Sequence, residues 1–388
     1  MSEITAFAGA RIFDGEQWHE NAALIARGGV IERIVPEAQI PGGAVLHRLE
    51  GGILAPGFID LQVNGGGGVM LNDRQDVEAI RIICEAHARF GTTALLPTLI
   101  SDTPEVTAAA VEAGAEAGRR RVPGYLGLHL EGPHLTLARK GAHDPAMIRP
   151  MEDVDEAAIL DAHGKVPVLL VTLAPEAAAP ERVRRLSEAG VVVSLGHSDA
   201  SRDAAREAAS AGASMVTHLF NAMSQMGNRE PGLVGAALDS GELDAGLIAD
   251  GFHVDPAMIG IALRAKKGPG RIFLVTDAMA TIGTDMRSFT LNGRLIRREN
   301  GRLTLEDGTL AGADLDMISA VRFVHEKIGL PLEEALRMAS LYPARAMRID
   351  DDYGRLGQGA RADLVHLSPA LDVESVWIEG RKVFGANG

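Results

Sequence analysis

Between residues 54 and 277, short runs made almost wholly of apolar residues alternate with longer runs whose apolar positions recur at helical spacing. The short runs fall at 54–63, 93–98, 125–131, 166–172, 191–197, 214–218, 246–250 and 271–277. With no polar face to turn toward water, each predicts a strand buried on both sides, as in a parallel sheet. The longer runs, among them 75–89, 105–117, 180–189, 201–211 and 255–265, predict Ala-rich helices that bury one stripe against that sheet. Alternation through eight such strands predicts an α/β fold, a (β/α)8 TIM-like barrel. Barrels of this kind carry their active sites at the C-terminal ends of the strands. A helix pair at 315–328 and 332–346 completes the predicted wall.

Both chain ends have a different texture. Short β-like runs at 4–10, 22–26, 30–35 and 45–49 are punctuated by Gly28-Gly29 and Gly42-Gly43, and runs at 363–367, 373–378 and 382–384 resemble them. The two ends therefore predict one small β domain, residues 1–53 and 354–388, with the barrel, residues 54–353, inserted between them. Two connections are long. One runs from Glu131 to about Asp155, and the other follows Asp277 and predicts a hairpin at 289–305 with turns at Asn292-Gly293 and Asn300-Gly301. Loops of that length at the catalytic face of a barrel commonly carry function. Gly65 to Gly68 lacks the Lys-Ser/Thr that would follow in a phosphate loop, and predicts a flexible turn.

Charge and cysteine usage narrow the partners. Lys and Arg number 38 against 52 Asp and Glu, a net charge of −14 with no basic block, which argues against nucleic acid. A small anion remains compatible, because a local group of Arg, His and backbone N–H can bind phosphate. Cys84 is the only cysteine, so no internal disulfide is possible, and a cytoplasmic protein with an inert core thiol is expected. Neither a signal peptide nor a membrane-spanning segment is expected.

The polar residues that close the apolar runs carry the chemistry. Leu128-His129-Leu130 ends in Glu131, residues 191–196 run into His197, and residues 214–217 run into His218. A carboxylate or imidazole at the end of a buried strand is costly unless it is paired, and a metal ion is a common partner. Glu131, His197 and His218 would hold one divalent metal ion per subunit, zinc by ligand type, with Fe2+ or another divalent ion as the alternative. Three protein ligands leave a position for water, as catalytic sites do. Asp277, closing the eighth run, would act as general base and then general acid; the plainer reading is a helix cap. Gln62 and Asn64, two apart on the first strand, fall on the same side.

These residues meet a family. Pro56-Gly57-Phe58-Ile59-Asp60, the strand-end histidines and Asp277 resemble the amidohydrolase superfamily. His129-Leu130-Glu131-Gly132-Pro133, Gly196-His197-Ser198, Thr217-His218-Leu219-Phe220-Asn221-Ala222-Met223, Asp250-Gly251-Phe252-His253 and Val275-Thr276-Asp277-Ala278 narrow the resemblance to its N-acetylglucosamine-6-phosphate deacetylases. It extends into Gly359-Ala360-Arg361-Ala362-Asp363-Leu364 near the chain end.

The resemblance implies hydrolysis of the acetamide of N-acetyl-D-glucosamine 6-phosphate to D-glucosamine 6-phosphate and acetate, within amino-sugar metabolism. It further implies that His143 meets the sugar or the acetamide carbonyl, with Ala142 beside it. Asn221, Ala222 and His253 would serve the phosphate end. Arg229 would reach the phosphate of a neighbouring subunit's substrate, which requires a homodimer. Leu310, Ala311, Gly312 and Ala313 would form a turn closing over the substrate. His134 and His163 are expected to be surface or packing residues.

One departure matters. Where many amidohydrolases carry His-x-His, this chain has Gln62-Val63-Asn64. Amides bind divalent ions weakly, so a second metal position near Gln62 and Asn64 is expected to be vacant. Three alternatives stand beside the main reading. One is the galacto epimer of the substrate. Another is cyclic-amide hydrolysis, disfavoured because the fourth run ends Leu170-Val171-Thr172 with no bridging Lys. The last is a non-enzymatic sugar-phosphate binder, disfavoured because Asp277 and the ligands occur together.

Overall fold

The computed structural model describes residues 3–385; the outermost residues of the expected end domain, 1–2 and 386–388, lie outside them. Its centre is an eight-stranded sheet of parallel strands taken in chain order: Phe58–Val63, Thr92–Ile100, Leu128–Glu131, Leu169–Leu173, Val192–Leu195, Met215–Val216, Asp244–Leu247 and Ile272–Leu274. A bridge between Val63 and Ala278, and the bond from Asp277 N–H to the Gln62 carbonyl at 2.9 Å, bring the last strand to the first. The predicted barrel is therefore present. The core fills it with small and branched residues that are almost wholly buried, such as Leu61, Val171, Val193, Val216 and Leu247, which suits close helix-on-sheet packing.

Helices follow the strands because their starts are capped. Asp76 accepts from Ala79 N–H, Thr103 from Val106 N–H, Ser201 from Ala204 N–H and Asp255 from Ala257 N–H, with Pro104 and Pro256 in the first turn of their helices. Two further helices, Asp153–His163 and Gly232–Asp239, complete the third and sixth strand–helix units.

The first predicted strand, 54–63, is two strands. Ile53–Pro56 belongs to a six-stranded sheet, where it pairs antiparallel with Leu364–Leu367, and Phe58–Val63 belongs to the barrel. The switch falls at Gly57, where a Cβ would lie 2.1 Å from the Thr93 hydroxyl, so only glycine lets the chain cross there. That sheet also joins Arg11–Phe13 and Trp18–His19 to Val373–Ile378 and Arg381–Phe384, so the two chain ends do pair. A four-stranded sheet of Ile4–Ala8, Ala22–Arg27, Val30–Pro36 and Val45–Arg48 lies beside it, and Phe7, Ile12, Leu24 and Trp377 form a shared apolar cluster.

Two local expectations are corrected. Residues 65–70 are a tight hairpin rather than a flexible turn: Gly65–Gly66 pairs with Val69–Met70. His87 Nε2 lies 2.9 Å from the Gly65 carbonyl, so the glycines buy close approach to the first helix. The insertion after Asp277 is also larger than a hairpin. Ser288–Leu291, Arg294–Glu299, Arg302–Thr304 and Leu310–Ala313 form a four-stranded antiparallel sheet, so the expected closing turn at Leu310–Ala313 is a strand. Its apolar face, with Phe289, Leu291, Ile296 and Leu303, packs on Ile100 and Met279 above the barrel mouth. No helix among the described residues is long and apolar enough to cross a membrane.

Candidate metal centre and active site

Three strand ends converge. The Nε2 atoms of His197 and His218 are each 3.1 Å from Glu131 Oε1 and 3.1 Å from one another. All three side chains are buried. His197 Nδ1 lies 2.9 Å from the Arg139 carbonyl, which requires Nδ1–H to donate and leaves Nε2 as a lone pair. Two imidazole nitrogens and a carboxylate oxygen in an equal-sided triangle cannot all satisfy one another by hydrogen bonds. They fit a cation: ligands about 2.0–2.1 Å from tetrahedral zinc stand roughly 3.3 Å apart. Burial opposes ionisation of Glu131, but the two imidazoles hold its carboxyl well below the usual value.

A second grouping, Glu131, His143 and His197, also brings three ligand atoms within 4.8 Å. There the contact is looser, with His143 Nε2 4.0 Å from Glu131 Oε2. Hydrogen bonding assigns a different task to His143. Ser101 N–H donates to its Nδ1 at 3.3 Å, and the Ser101 hydroxyl lies 2.8 Å from the same nitrogen. A neutral imidazole that accepts at Nδ1 carries its proton on Nε2. Burial, reinforced by His197, pushes the His143 pKa down to about 3, so the ring stays neutral. It therefore offers an N–H donor to the cavity rather than a lone pair to a metal.

Asp277 faces the same point. Asn64 Nδ2 donates to its Oδ1 at 2.6 Å, and Gln62 Nε2 lies 3.2 Å from both that oxygen and Glu131 Oε1. Gln62 thus sets an N–H group between the two carboxylates, and Asn64 sets a second on Asp277. Burial and the charge on Glu131 push the Asp277 pKa up to about 6.

His197, His218 and Asp277 all lie just past their strands at positive φ, 48°, 31° and 52°. Non-glycine residues seldom take such values, and the strain is held by surrounding structure. For Asp277 the holding groups are visible. Asp60, wholly buried, accepts from Thr276 Oγ1 at 2.5 Å and from the backbone N–H of Gln62 and Thr276 at 3.2 Å. It ties the first strand to the turn that presents Asp277. Burial outweighs these three donors and pushes the Asp60 carboxyl up to about 7. Sequence reasoning gave Asp60 no role, because its partner lies 216 residues away.

The centre lies in a cavity of about 160 Å³ lined also by Ala142, Asn221, Ala222, His253, Leu310 and Gly312. Strand alternation corrects the remaining two of the expected closing residues: Ala311 packs into the apolar face of the inserted sheet and Ala313 into the barrel core. His253 Nδ1 is 2.6 Å from Asp250 Oδ2, while Asp250 Oδ1 accepts the N–H of Phe252 and His253 at 2.8 Å. Asp250 so orients His253, a role the sequence reading did not assign. Arg229 is exposed, outside the cavity of its own chain. His134 is buried with its Nδ1 3.2 Å from the Arg149 carbonyl, a packing residue as expected.

Comparison with known proteins places the chain in a family. The amidohydrolase family model matches residues 53–383. The chain is 41% identical over 380 residues to an N-acetylgalactosamine-6-phosphate deacetylase of Shewanella sp. (strain ANA-3), covering 97% of this chain and 95% of the relative. It is 37% identical to the N-acetylglucosamine-6-phosphate deacetylase of Haemophilus influenzae, covering 92% and 94%. The crystal structure of N-acetylglucosamine-6-phosphate deacetylase from Pasteurella multocida superposes with a TM-score of 0.94 at 36% identity, covering 98% of this chain and 99% of that one. The family model over residues 53–383 and the whole-length similarity make this chain a member of the amidohydrolase family.

Proposed function

We propose that this protein removes the acetyl group from N-acetyl-D-glucosamine 6-phosphate, using one divalent metal ion, by ligand type zinc. The observation that carries the reading is the 3.1 Å triangle of Glu131, His197 and His218 beside a carboxylate, Asp277, held by the amides of Asn64 and Gln62. Relatives of nearly full length are named for deacetylation of amino-sugar 6-phosphates. When bound, the ion supplies Lewis acidity, lowering the pKa of water toward ~7 and polarising a carbonyl oxygen. Asp277 takes a proton from the attacking water and passes it to the amine nitrogen as the C–N bond breaks. His143 donates its Nε2–H to the substrate, and Gln62 and Asn64 hold Asp277 in place. Glu131, His143, His197 and His218 are all buried, and the lower dielectric around them strengthens these contacts.

The phosphate end needs a cation, and no Lys or Arg lines the cavity among the described residues. Asn221, Ala222 and His253 supply polar contacts, and Arg229 from a second copy of the chain supplies the charge. Met226, in the same loop, is 52% exposed, an apolar surface suited to such a homodimer. Arg229→Ala is expected to raise KM about 10- to 100-fold with little change in kcat, the loss of a charge-assisted contact. Steady-state kinetics check this, and an unchanged KM removes Arg229 from the site. Cys84, buried and unpaired, fits a cytoplasmic location.

The galacto epimer is a second reading, favoured by the Shewanella relative at 41% identity. Acetate release from the gluco and galacto phosphates and from unphosphorylated N-acetylglucosamine, with and without chelator, tests both. Chelator-sensitive release from the gluco phosphate is expected. Preference for the galacto epimer keeps the chemistry and changes the substrate, and no release from any of the three overturns the deacetylase reading.

A further inference from the structure

The turn Lys140–His143 is held from two sides. Below it, His197 donates to the Arg139 carbonyl, and a Cβ on Gly141 would stand 3.2 Å from the His197 ring. Above it, the guanidinium of Arg294, on the second strand of the inserted sheet, donates to the Ala142 carbonyl. Arg294 is half-buried, and no carboxylate pairs with it among the described residues. The sheet that carries it is itself braced: Arg298 Nε lies 2.7 Å from Asp314 Oδ2 and Arg298 Nη1 donates to the Thr284 carbonyl at 2.7 Å. The residue directly after the clamped carbonyl is His143.

We propose that Arg294 is a positioning residue for His143: by clamping the Ala142 carbonyl it fixes the turn from which His143 presents its Nε2–H to the substrate. The proposal rests on the deacetylase reading for its kinetic consequence, though not for its structural one. Ser101 holds the His143 ring at Nδ1, the His143 N–H donates to the Lys140 carbonyl at 3.0 Å, and the Arg294 clamp holds the preceding peptide from the inserted sheet. With the clamp gone, the turn can shift away from Ser101. The ring then loses the bond that selects its tautomer, and its donor moves from the reacting carbonyl. Displacements of about 1 Å at such a group can cost on the order of 100-fold in rate. The inserted sheet so acts on the reaction as well as roofing the cavity.

Two measurements on the metal-loaded full-length protein test this. A double-mutant cycle compares Arg294→Ala in the native and His143→Gln backgrounds, with Arg294→Lys for rescue and the exposed Arg297→Ala as control. Arg294→Ala is expected to lower kcat/KM about 10- to 100-fold alone and less than about twofold in the His143→Gln background, with partial recovery in Arg294→Lys. An equal loss in both backgrounds, or no loss, overturns the proposal. The second readout needs no substrate: 15N shifts of the His143 ring are expected to report protonation at Nε2 alone in the native protein and a tautomer mixture in Arg294→Ala. Unchanged shifts overturn the positioning role even where the enzyme is active. Native shifts of the expected kind with no acetate release would fault the deacetylase reading instead.

Discussion

Asp277→Asn lowers kcat by about 100- to 10,000-fold, the usual contribution of a positioned acid–base group, while leaving metal content and substrate binding near native. The expectation follows from what asparagine keeps. Its carbonyl oxygen can still accept from Asn64 Nδ2 and Gln62 Nε2, so the turn at positive φ keeps its anchors. What asparagine cannot do is carry a proton from water to nitrogen. The same residue sets the pH profile. Burial and the negative charge of Glu131 raise the carboxyl to about 6, and a divalent cation beside it draws that value down. The working form is the ionised one, so kcat/KM falls as pH drops through the acid limb, at or below about 6. The variant should lose that limb along with the rate. Metal analysis and a pH series of kcat/KM check both halves; turnover within tenfold of native would give the proton transfer to another group.

Glu131→Ala abolishes metal binding and activity together. One carboxylate oxygen is the shared vertex of contacts to both imidazoles, and without it two buried Nε2 atoms 3.1 Å apart face each other with no anion between them. The remaining pair of histidines is a weak chelate, so metal content should fall from about one ion per chain to well under a tenth of that. The loss also shows in stability. A ligand that binds only the folded state adds RT ln(1 + [L]/Kd), so the variant should melt like chelated native protein and gain nothing from added zinc. Native protein should bind one ion and not two, since the Gln62 and Asn64 amides point N–H donors at Asp277 and Glu131. Two tightly bound ions per chain would show that the amides turn over and ligate.

The sequence was most legible where a physical demand leaves a local trace. Strands buried on both faces must be apolar throughout, so runs such as 191–197 and 271–277 stood out together with the His197 and Asp277 that close them. A barrel then required those ends to converge, and Glu131, His197 and His218 do converge. Gln62 and Asn64 were legible as two amides on one side of the first strand, and the fold sets them against Asp277 and Glu131.

Other features leave no such trace, because they depend on which distant segments meet. That the chain switches sheets at Gly57 depends on Thr93 lying against it. Leu310–Ala313 looks like a turn in isolation and is a strand because Arg302–Thr304 pairs with it, which turns Ala311 and Ala313 away from the cavity. His143 is one imidazole among twelve histidines in the sequence; its bond to Ser101, 42 residues earlier, makes it a donor and removes it from the ligand set. Asp60, Asp250 and Arg294 act through partners rather than through their own identity, and a carboxylate or guanidinium alone says nothing about which carbonyl or N–H it will meet. Residue type and apolar pattern settle which chemistry a chain can carry, because burial and donor strength are local properties. Protonation, orientation and strained φ angles belong to contacts made across the fold, and those exist once the barrel has closed.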